Sequence, residues 1–427
     1  MSMQMRINPG ELSGDIAAIP SKSHAHRLLI CAALSDRETR VACPAVSGDI
    51  LATADGLNTL CGGVKRQKDG FAVSALRIPD NPGYFRVNCA DSGSTYRFLL
   101  PLALMLPRPA RFMLSGRLPH RPMNPLFKAL EAHGAELSGK GTDTLDATGH
   151  MRSGFYRLPG GVSSQFISGL IFALPLLTGK SEIAVDGAME SRGYINMTLD
   201  TVRRFGVCAR VEEDRIVVPG SQRYRSPGDV TVEGDWSAAA FYLCAAACAG
   251  RGITVTGLST ASEQLDKTVL SLLRRFGADV TADGDRVSVA PRALSGIEID
   301  AADIPDLVPA LALVAACARD KTVIYNASRL RLKESDRLKT VAGTLNALGG
   351  DVRVTGEGLL INGTGTLRGG TVDACSDHRI AMMAACASVL CIGPVTLAGA
   401  EAVRKSYPAF FGDFRSLGRD AREEGEK

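Results

Sequence analysis

The sequence predicts an α/β protein built from six repeated units, and three regularities support this prediction. The first is a step of 71 residues between polar or glycine-rich turns that each precede an apolar run, at Lys22, Gly93, Ser164, Asp235, Asp306 and Asp377. The second is a glycine that ends a later helix, at Gly62, Gly134, Gly206, Gly277 and Gly349. The third is a β-type segment between the two helices, which reads RVAC, RFML, EIAV, ITVT, TVIY and VTLA. Self-similarity at a fixed period is typical of a repeat architecture.

The first repeat unit illustrates the elements predicted for all six. Residues 15–19 are predicted to be a strand, and residues 24–34 have the apolar content of a buried helix whose N-cap is Ser21 or Ser23. Thr39–Ala42 returns as a strand. The second helix, residues 50–61, stops at Gly62, where a left-handed C-cap is expected. With two further strands, each unit has the order helix, strand, helix, strand, strand.

Proline positions and the end of the third unit define the expected boundaries. Pro101, Pro175 and Pro309 interrupt the first helices of their units, so kinks are expected there. Three units end near residues 226–229, which predicts two three-unit domains that face one another. A chain of 427 residues is long enough to give each domain its own core.

Composition argues against several classes of function. The net charge is +4 without a run of like charges, so a nucleic-acid partner is not indicated. No apolar run approaches the roughly 18 residues that span a bilayer, and MSMQMRI begins no signal peptide. The eleven cysteines fit no metal spacing and are expected to be buried free thiols in a reducing cytoplasm. We therefore expect a cytoplasmic protein without a metal site.

The repeated turns are the predicted binding site for anions. Helix N-termini at one phase would present unpaired N–H groups and the positive end of the helix dipole. The turns add ionisable groups of varied type: Lys22, Arg27, Arg97, Asp235, Asp306, Asp377, His378 and Arg379. For Asp235 and Asp377, a role as helix caps alone is an equally good interpretation. A structural role alone is a weaker interpretation for Lys22, because a lysine in the first turn of a helix opposes the helix dipole. A second dense segment, residues 329–337, follows a strand at the edge where sites collect in α/β folds.

Nine motifs in these turns resemble, in order, those of the 5-enolpyruvylshikimate-3-phosphate synthase family. They are SKSHAHR (21–27), SGST (92–95), HRPM (120–123), SSQF (163–166), EGDWSAA (233–239), DIPD (303–306), RLKESDR (331–337), DHRIAM (377–382) and KSYP (405–408). The resemblance implies the two-domain enolpyruvyl transferase fold, an inverse α/β barrel-like arrangement with three βαβαββ units per domain and two crossing segments. Residues 1–19 and 229–427 would form domain 1, with the acid/base groups, and residues 20–228 would form domain 2, with most shikimate contacts. Because the motifs divide between the two domains, domain closure is also implied.

The resemblance also implies a reaction of the shikimate pathway, which leads to chorismate and the aromatic amino acids. The 5-hydroxyl of shikimate 3-phosphate would add to C2 of phosphoenolpyruvate, and phosphate would leave from a tetrahedral intermediate. A related transferase that acts on UDP-N-acetylglucosamine is the alternative. It carries a catalytic Cys in the loop before its Arg-Pro, whereas residues 115–120 contain none, and it has Asn where this chain has Ser23. A non-catalytic anion-binding protein is disfavoured because the acid/base positions are filled.

The site residues implied by the resemblance fall into three groups. Phosphoenolpyruvate would be held by Arg121, Arg337, Arg379 and Lys405, in front of a turn that contains Gly93. Shikimate 3-phosphate would be held by Ser23, Arg27, Ser163, Ser164, Ser191, Tyr194, Asp306 and Lys333, with Lys22 and Gln165 near both substrates. The catalytic candidates are Asp306, Glu334, Lys22 and His378: Asp306 and Lys22 for the hydroxyl, and Glu334, with a pKa raised by burial, for the methylene carbon. No cofactor is implied, and a monomer is expected.

Three departures from the family pattern lie in or beside the site. Asp91 replaces an Asn, Phe98 follows Arg97 where Pro is common, and Arg329 stands where some members use Asn against the shikimate phosphate. In this family glyphosate occupies the phosphoenolpyruvate site, and tolerant members often carry Ala at the position of Gly93. The glycine therefore predicts sensitivity to glyphosate.

Overall fold

A computed structural model describes residues 2–80, 83–187 and 190–424. The strands within these ranges are β1 Gln4–Ile7, β2 Ser13–Ala17, β3 Thr39–Ala42, β4 Val64–Gln67, β5 Gly70–Val73, β6 Phe85–Ala90, β7 Ala110–Leu114, β8 Ala135–Ser138, β9 Thr144–Gly149, β10 Phe155–Pro159, β11 Ser181–Asp186, β12 Arg210–Glu212, β13 Arg215–Val218, β14 Asp229–Thr231, β15 Gly252–Thr256, β16 Asp279–Asp283, β17 Arg286–Ala290, β18 Glu298–Asp300, β19 Lys321–Tyr325, β20 Asp351–Val354, β21 Leu359–Asn362, β22 Gly370–Asp373, β23 Val395–Ala398 and β24 Ala421–Glu423. The α-helices are α1 Lys22–Ala33, α2 Gly48–Cys61, α3 Gly93–Ala103, α4 Asn124–Glu131, α5 Ser164–Ala173, α6 Arg192–Arg204, α7 Trp236–Cys248, α8 Val269–Phe276, α9 Val308–Cys317, α10 Arg337–Ala347, α11 His378–Ala387 and α12 Phe410–Ser416. Short 3-10 helices cover Leu118–His120, Leu174–Leu176, Leu265–Thr268, Ser328–Leu332 and Ala400–Lys405. Within the same ranges, the helices all lack the length and apolar character needed to cross a membrane.

The strands form six four-stranded sheets of one design, which confirms the predicted α/β class and its six repeats. In each sheet an edge strand pairs in parallel with the strand that follows the first helix, and two antiparallel strands complete the order. The orders are β14-β3-β5-β4, β6-β7-β9-β8, β10-β11-β13-β12, β2-β15-β17-β16, β18-β19-β21-β20 and β22-β23-β1-β24.

Two compact lobes divide the described residues. Lobe 1 contains residues 2–21 and 233–424, and lobe 2 contains the described residues between 22 and 232. Strands β1 and β2 pair with β23 and β15, so the N-terminal strands belong to lobe 1. Strand β14 pairs with β3, and this pairing carries lobe 2 to residue 232, beyond the expected limit at residue 228.

Each lobe has its own apolar core around its first helices. Helix α7 is buried from Trp236 to Ala247, and α9 and α11 are buried almost throughout. A helix that is apolar on every side is shielded from water only when it is buried in a core. The alanine- and leucine-rich runs therefore fix where the first turns of these helices lie.

The predicted junctions between turn and helix are confirmed to within two residues. Helices α1, α3 and α5 begin at Lys22, Gly93 and Ser164, and Asp235 and Asp377 are the N-caps of α7 and α11. Helix α9 begins two residues after Asp306. The glycines that follow the second helices have positive φ, with values at Gly62, Gly134, Gly206, Gly277, Gly349 and Gly418 of 69°, 99°, 77°, 108°, 101° and 87°. The left-handed C-cap expected at Gly62 is wrong, because its ψ of 170° lies outside the left-handed helical region, whereas Gly277 is such a cap for α8.

The proline prediction is correct only in part. Helix α3 contains Pro101, and α5 gives way to a 3-10 turn that contains Pro175. The interruption expected at Pro309 is wrong, because α9 starts at Val308 and Pro309 lies in its first turn. A first-turn proline removes no intrahelical hydrogen bond, since the N–H there has no helical acceptor.

Candidate active site

In lobe 2, two arginines meet at the N-terminus of α3. The Ser92 hydroxyl caps this helix by accepting the Thr95 N–H at 3.4 Å, and Gly93 is its first residue. A Cβ on Gly93 would lie 2.9 Å from Nη1 of Arg97 and 2.9 Å from Nη1 of Arg121. The missing side chain thus makes room for two guanidinium groups beside free helical N–H groups, which is a favourable environment for an anion.

Gln165 links this group of cations to the neighbouring helix. Its Oε1 accepts Nη1–H of Arg97 at 2.6 Å, and its Nε2 donates to the Ser94 hydroxyl at 2.8 Å. The Ser163 hydroxyl caps α5 by accepting the Gln165 N–H at 3.3 Å, and Ser164 is buried as the first residue of α5. The SSQF turn therefore orients Gln165 toward the turn that holds Gly93.

Lys22, at the start of α1, forms an ion pair with Asp49. Its Nζ lies 2.9 Å from Asp49 Oδ2, and the side chains are 16% and 5% exposed. Asp49 lies in the first turn of α2 and was not predicted from the sequence, because it lies outside both the 71-residue phase and the segment 329–337. The carboxylate compensates for the unfavourable position of a lysine at a helix N-terminus.

Arg27 joins α1 to α6 through three hydrogen bonds. Nε donates to the Thr198 hydroxyl at 2.8 Å, and Nη1 and Nη2 donate to the carbonyls of Ser23 and Tyr194 at 2.6 and 2.9 Å. Burial lowers the pKa of Arg27 to about 10. Ser191, with a φ of 54°, precedes α6 in the left-handed region. Arg27 thus positions the Ser23 and Tyr194 backbones.

In lobe 1, Arg337 lies at the centre of three carboxylates. Nε and Nη2 donate to Asp377 at 2.8 and 3.1 Å, Nη1 donates to Asp306 at 2.9 Å, and Nη2 also donates to Glu334 at 2.8 Å. Its side chain is 1% exposed. Burial alone would lower the pKa of Arg337, but the negative charges of Asp377, Glu334 and Asp306 raise it above its ordinary value.

Asp306 is surrounded by cations from two helices and one turn. Its carboxylate accepts from Arg379 Nη2 at 3.0 Å and from Arg337 Nη1 at 2.9 Å, with Lys333 Nζ at 3.4 Å. Burial would raise the pKa of Asp306, but the charges of Arg379, Lys333 and Arg337 hold it well below its usual range. Asp306 is therefore an ionised carboxylate at neutral pH.

Lys333 carries a pKa close to neutrality. Burial is the main cause that lowers its pKa from 10.5 to about 8; the charge of Asp306 opposes this shift, and the charges of Arg337 and Arg329 favour it. Arg329, one of the departures from the family pattern, is half-buried in the 3-10 helix before Lys333. The two cations lie close enough for their charges to interact.

Arg379 is held by the caps of two helices. Its Nη2 donates to the Ser237 hydroxyl at 3.0 Å, and that hydroxyl donates to Asp235 at 2.8 Å. Asp377 accepts the backbone N–H of Arg379 at 3.0 Å. Asp235 and Asp377 are therefore helix caps, as one interpretation of the sequence held, and each also restrains an arginine. Ser237 was missed, although it lies two residues after a turn of the repeat.

His378 and Lys405 are the remaining predicted site residues of lobe 1. His378 is buried in the first turn of α11, with Nδ1 3.8 Å from Asp377 Oδ1. Lys405 is half-buried at the end of the 3-10 helix Ala400–Lys405.

The structure brings Asp306, Lys333, Glu334, Arg337 and Arg379 into one hydrogen-bonded cluster. In lobe 2, Gly93, Arg97, Arg121 and Gln165 form a second group.

Comparisons with known proteins identify the family to which the chain belongs. The family model for EPSP synthase (3-phosphoshikimate 1-carboxyvinyltransferase) matches residues 7–414. The 3-phosphoshikimate 1-carboxyvinyltransferase of Clostridium kluyveri is 41% identical over 98% of both chains, and that of Clostridioides difficile is 37% identical over 97% of both. A solved EPSP synthase from Acinetobacter baumannii superposes with a TM-score of 0.81 at 25% identity, covering 99% of this chain and 100% of that one. The enolpyruvyl transferase NikO from Streptomyces tendae, at 20% identity and a TM-score of 0.79, shares the fold over the whole of both chains.

The six-sheet fold is that of the enolpyruvyl transferases. Within this class, the chain belongs to the EPSP synthase family, since the family model spans nearly all of it and several relatives exceed 30% identity.

Proposed function

We propose that the chain transfers the enolpyruvyl group of phosphoenolpyruvate to the 5-hydroxyl of shikimate 3-phosphate and releases phosphate. The observation that carries this proposal is the cluster in which Asp306 and Glu334, two candidate proton-transfer groups, share the guanidinium of Arg337. A reaction between two polyanions needs cations that neutralise them together with groups that move protons. The relatives from Clostridium kluyveri and Clostridioides difficile are both named 3-phosphoshikimate 1-carboxyvinyltransferase.

The roles follow from the chemistry of each group. In lobe 2, Arg121, Gln165, Lys22 and the Gly93 turn bind phosphoenolpyruvate. Ser23, Ser163, Ser164, Ser191 and Tyr194, positioned in part by Arg27, bind shikimate 3-phosphate together with Lys333. In lobe 1, Arg337, Arg379 and Lys405 bind the carboxylate and phosphate of phosphoenolpyruvate.

Proton transfer is assigned to Asp306 and Lys22 at the hydroxyl and to Glu334 at the methylene carbon. Asp306 is already ionised, as a base must be. Glu334 must exchange its contact with Arg337 before it donates a proton, because an ion pair favours the charged carboxylate. His378, buried beside Asp377, supports this cluster from α11.

We further propose that the protein is a cytoplasmic monomer. It acts on small anionic substrates and uses neither nucleic acid nor a cofactor. All eleven cysteines are free, which is the usage expected in a reducing compartment. The expectation that all of them are buried is wrong, because Cys208, Cys248 and Cys317 are half-buried and Cys375 is exposed. The alternative substrate, UDP-N-acetylglucosamine, is not favoured, since residues 115–120 carry no thiol.

Product identification tests the proposal. Purified protein is incubated with phosphoenolpyruvate and either shikimate 3-phosphate or UDP-N-acetylglucosamine, and the products are analysed by mass spectrometry. We expect an enolpyruvyl ether of shikimate 3-phosphate alone. Formation of the amino-sugar ether instead would replace the proposed substrate.

A further inference from the structure

Asp377 holds Arg337 along one edge of the guanidinium group. Oδ2 accepts Nε–H at 2.8 Å, and Oδ1 accepts Nη2–H at 3.1 Å. The side chains of Asp377 and Arg337 are 0% and 1% exposed. A bidentate, charge-assisted pair of this kind fixes the plane of the guanidinium as well as its distance.

Asp377 is itself fixed from two other directions. Its Oδ1 accepts the backbone N–H of Arg379 at 3.0 Å, because Asp377 is the N-cap of α11. Its Oδ2 accepts the Ser335 hydroxyl at 2.9 Å. The carboxylate is therefore anchored to α11, and it transmits that position to Arg337.

The other edge of Arg337 faces two carboxylates that mark where an anion is bound. Nη1 donates to Asp306 Oδ1 at 2.9 Å, and Nη2 donates its second N–H to Glu334 Oε2 at 2.8 Å. Two oxygens at such distances along the Nη1–Nη2 edge reproduce the contacts of one bidentate carboxylate. A substrate carboxylate that takes these places also releases Asp306 and Glu334 from Arg337.

We propose that Asp377 is the positioning residue for phosphoenolpyruvate: it grips the Nε–Nη2 edge of Arg337 so that the Nη1–Nη2 edge faces the substrate carboxylate. This inference rests on the proposed function. In this role Asp377 does not contact the substrate. Asp306 and Glu334 differ from Asp377, because their contacts with Arg337 are exchanged during turnover.

The test is steady-state kinetics of Asp377→Asn. The amide oxygen still accepts the Arg379 N–H, so the cap is retained, but the charge that holds Arg337 is lost. We expect KM for phosphoenolpyruvate to rise at least about 30-fold, with kcat reduced less than about tenfold and KM for shikimate 3-phosphate changed less than about threefold. A purely structural role would raise both KM values together or lower kcat alone.

Asp336→Asn is the matched control. Asp336 adjoins Arg337, caps α10 through the Lys339 N–H, and pairs with Arg331 at 3.5 Å, so its replacement removes the same charge from the same region. We expect its KM values to stay within about threefold of wild type. A folded Asp377→Asn protein whose KM for phosphoenolpyruvate matches that of the control would overturn the proposal.

A second variant decides the matter if Asp377→Asn fails to fold. Ser335→Ala removes one anchor of Asp377 and leaves the ion pair, and we expect about a fivefold rise in KM for phosphoenolpyruvate alone. Unchanged kinetics of this variant would then contradict the positioning role. Absence of activity in the wild-type protein would instead contradict the proposed function.

Discussion

The Cα of Gly93 and the guanidinium of Arg121 are so close that a methyl group on the glycine would lie 2.9 Å from Nη1 of the arginine. The same methyl would lie 2.9 Å from Nη1 of Arg97. Contacts below 3.0 Å force a shift, and here the atoms that yield are the ends of two flexible side chains. Alanine at this position is therefore tolerated by the fold but displaces both cations from the anion site.

Replacement of Gly93 by alanine tests this relationship. We expect glyphosate to inhibit the wild-type protein in competition with phosphoenolpyruvate, because glycine leaves the site open. Gly93→Ala should raise the inhibition constant of glyphosate at least about tenfold more than KM for phosphoenolpyruvate, since the shorter substrate is crowded less. Gly412→Ala, an exposed helical position with open space around it, is the control. A wild-type protein that resists glyphosate well above KM would show that the Gly93 turn is formed differently.

Asp306→Ala tests the assignment of the base. We expect kcat to fall by about 10²–10⁴-fold, the usual contribution of one general acid or base. KM for phosphoenolpyruvate should change little or fall, because removal of the carboxylate leaves Arg337 and Arg379 with more positive charge for an anion. Steady-state kinetics would measure kcat and KM for phosphoenolpyruvate, with Asp300→Ala as the control variant. A large KM increase with kcat preserved would make Asp306 a binding group.

The lowered pKa of Lys333 predicts that kcat/KM for shikimate 3-phosphate falls at alkaline pH. In the proposed role of Lys333, only the protonated ammonium would attract shikimate 3-phosphate, and burial lowers the pKa of Lys333 from 10.5 to about 8. We therefore expect kcat/KM for shikimate 3-phosphate to fall as pH rises through about 8, since kcat/KM reports the free enzyme. Lys333→Arg should move this limb to higher pH. A wild-type profile that stays flat past about pH 9.5 would place the ammonium in a more solvated site.

Arg27→Ala should affect both stability and binding. The carbonyls of Ser23 and Tyr194 and the Thr198 hydroxyl would lose buried donors, which costs about 1–3 kcal/mol in the free energy of unfolding. KM for shikimate 3-phosphate should rise because Ser23 and Tyr194 lose their positioning. Arg203→Ala, an exposed ion-pair residue of α6, should change stability by less than about 0.5 kcal/mol. Equal urea midpoints for the two variants would contradict the described hydrogen bonds.

Cys89 should be dispensable for the reaction. Its thiol is buried in lobe 2, and burial raises its pKa far above neutrality, so it is a poor nucleophile. Cys89→Ala should leave kcat/KM within about tenfold of wild type, or about 1.4 kcal/mol on the barrier. Mass spectrometry of the protein after incubation with phosphoenolpyruvate gives the opposing outcome: a covalent thiol adduct would point to the amino-sugar mechanism.

Local patterns were sufficient to predict the repeat and its helix boundaries. The 71-residue step located the first turns because each combines a capping or small residue with an apolar run, and the glycines after the second helices have the positive φ that favours this residue. The start of α9 differed because Pro309 is compatible with a first helical turn as well as with a kink.

Pairings between distant segments were beyond such patterns. Arg337 bonds Asp306 and Asp377, which are 31 and 40 residues away, and Lys22 pairs with Asp49 on the next helix. Periodicity places Lys22, Asp306 and Asp377 in turns, but it does not show which other segments these turns meet. The partners of β2 and β14 were likewise not predicted from local patterns, because both strands are short and pair with β15 and β3, which are far along the chain.

Release of phosphate measures the central claim most directly. The protein is mixed with shikimate 3-phosphate alone, with phosphoenolpyruvate alone, and with both, and inorganic phosphate is followed continuously. The account predicts multiple-turnover release only when both substrates are present, with release reduced at least about 100-fold in Asp306→Ala. Release from phosphoenolpyruvate alone, or none with both substrates, would contradict enolpyruvyl transfer to shikimate 3-phosphate.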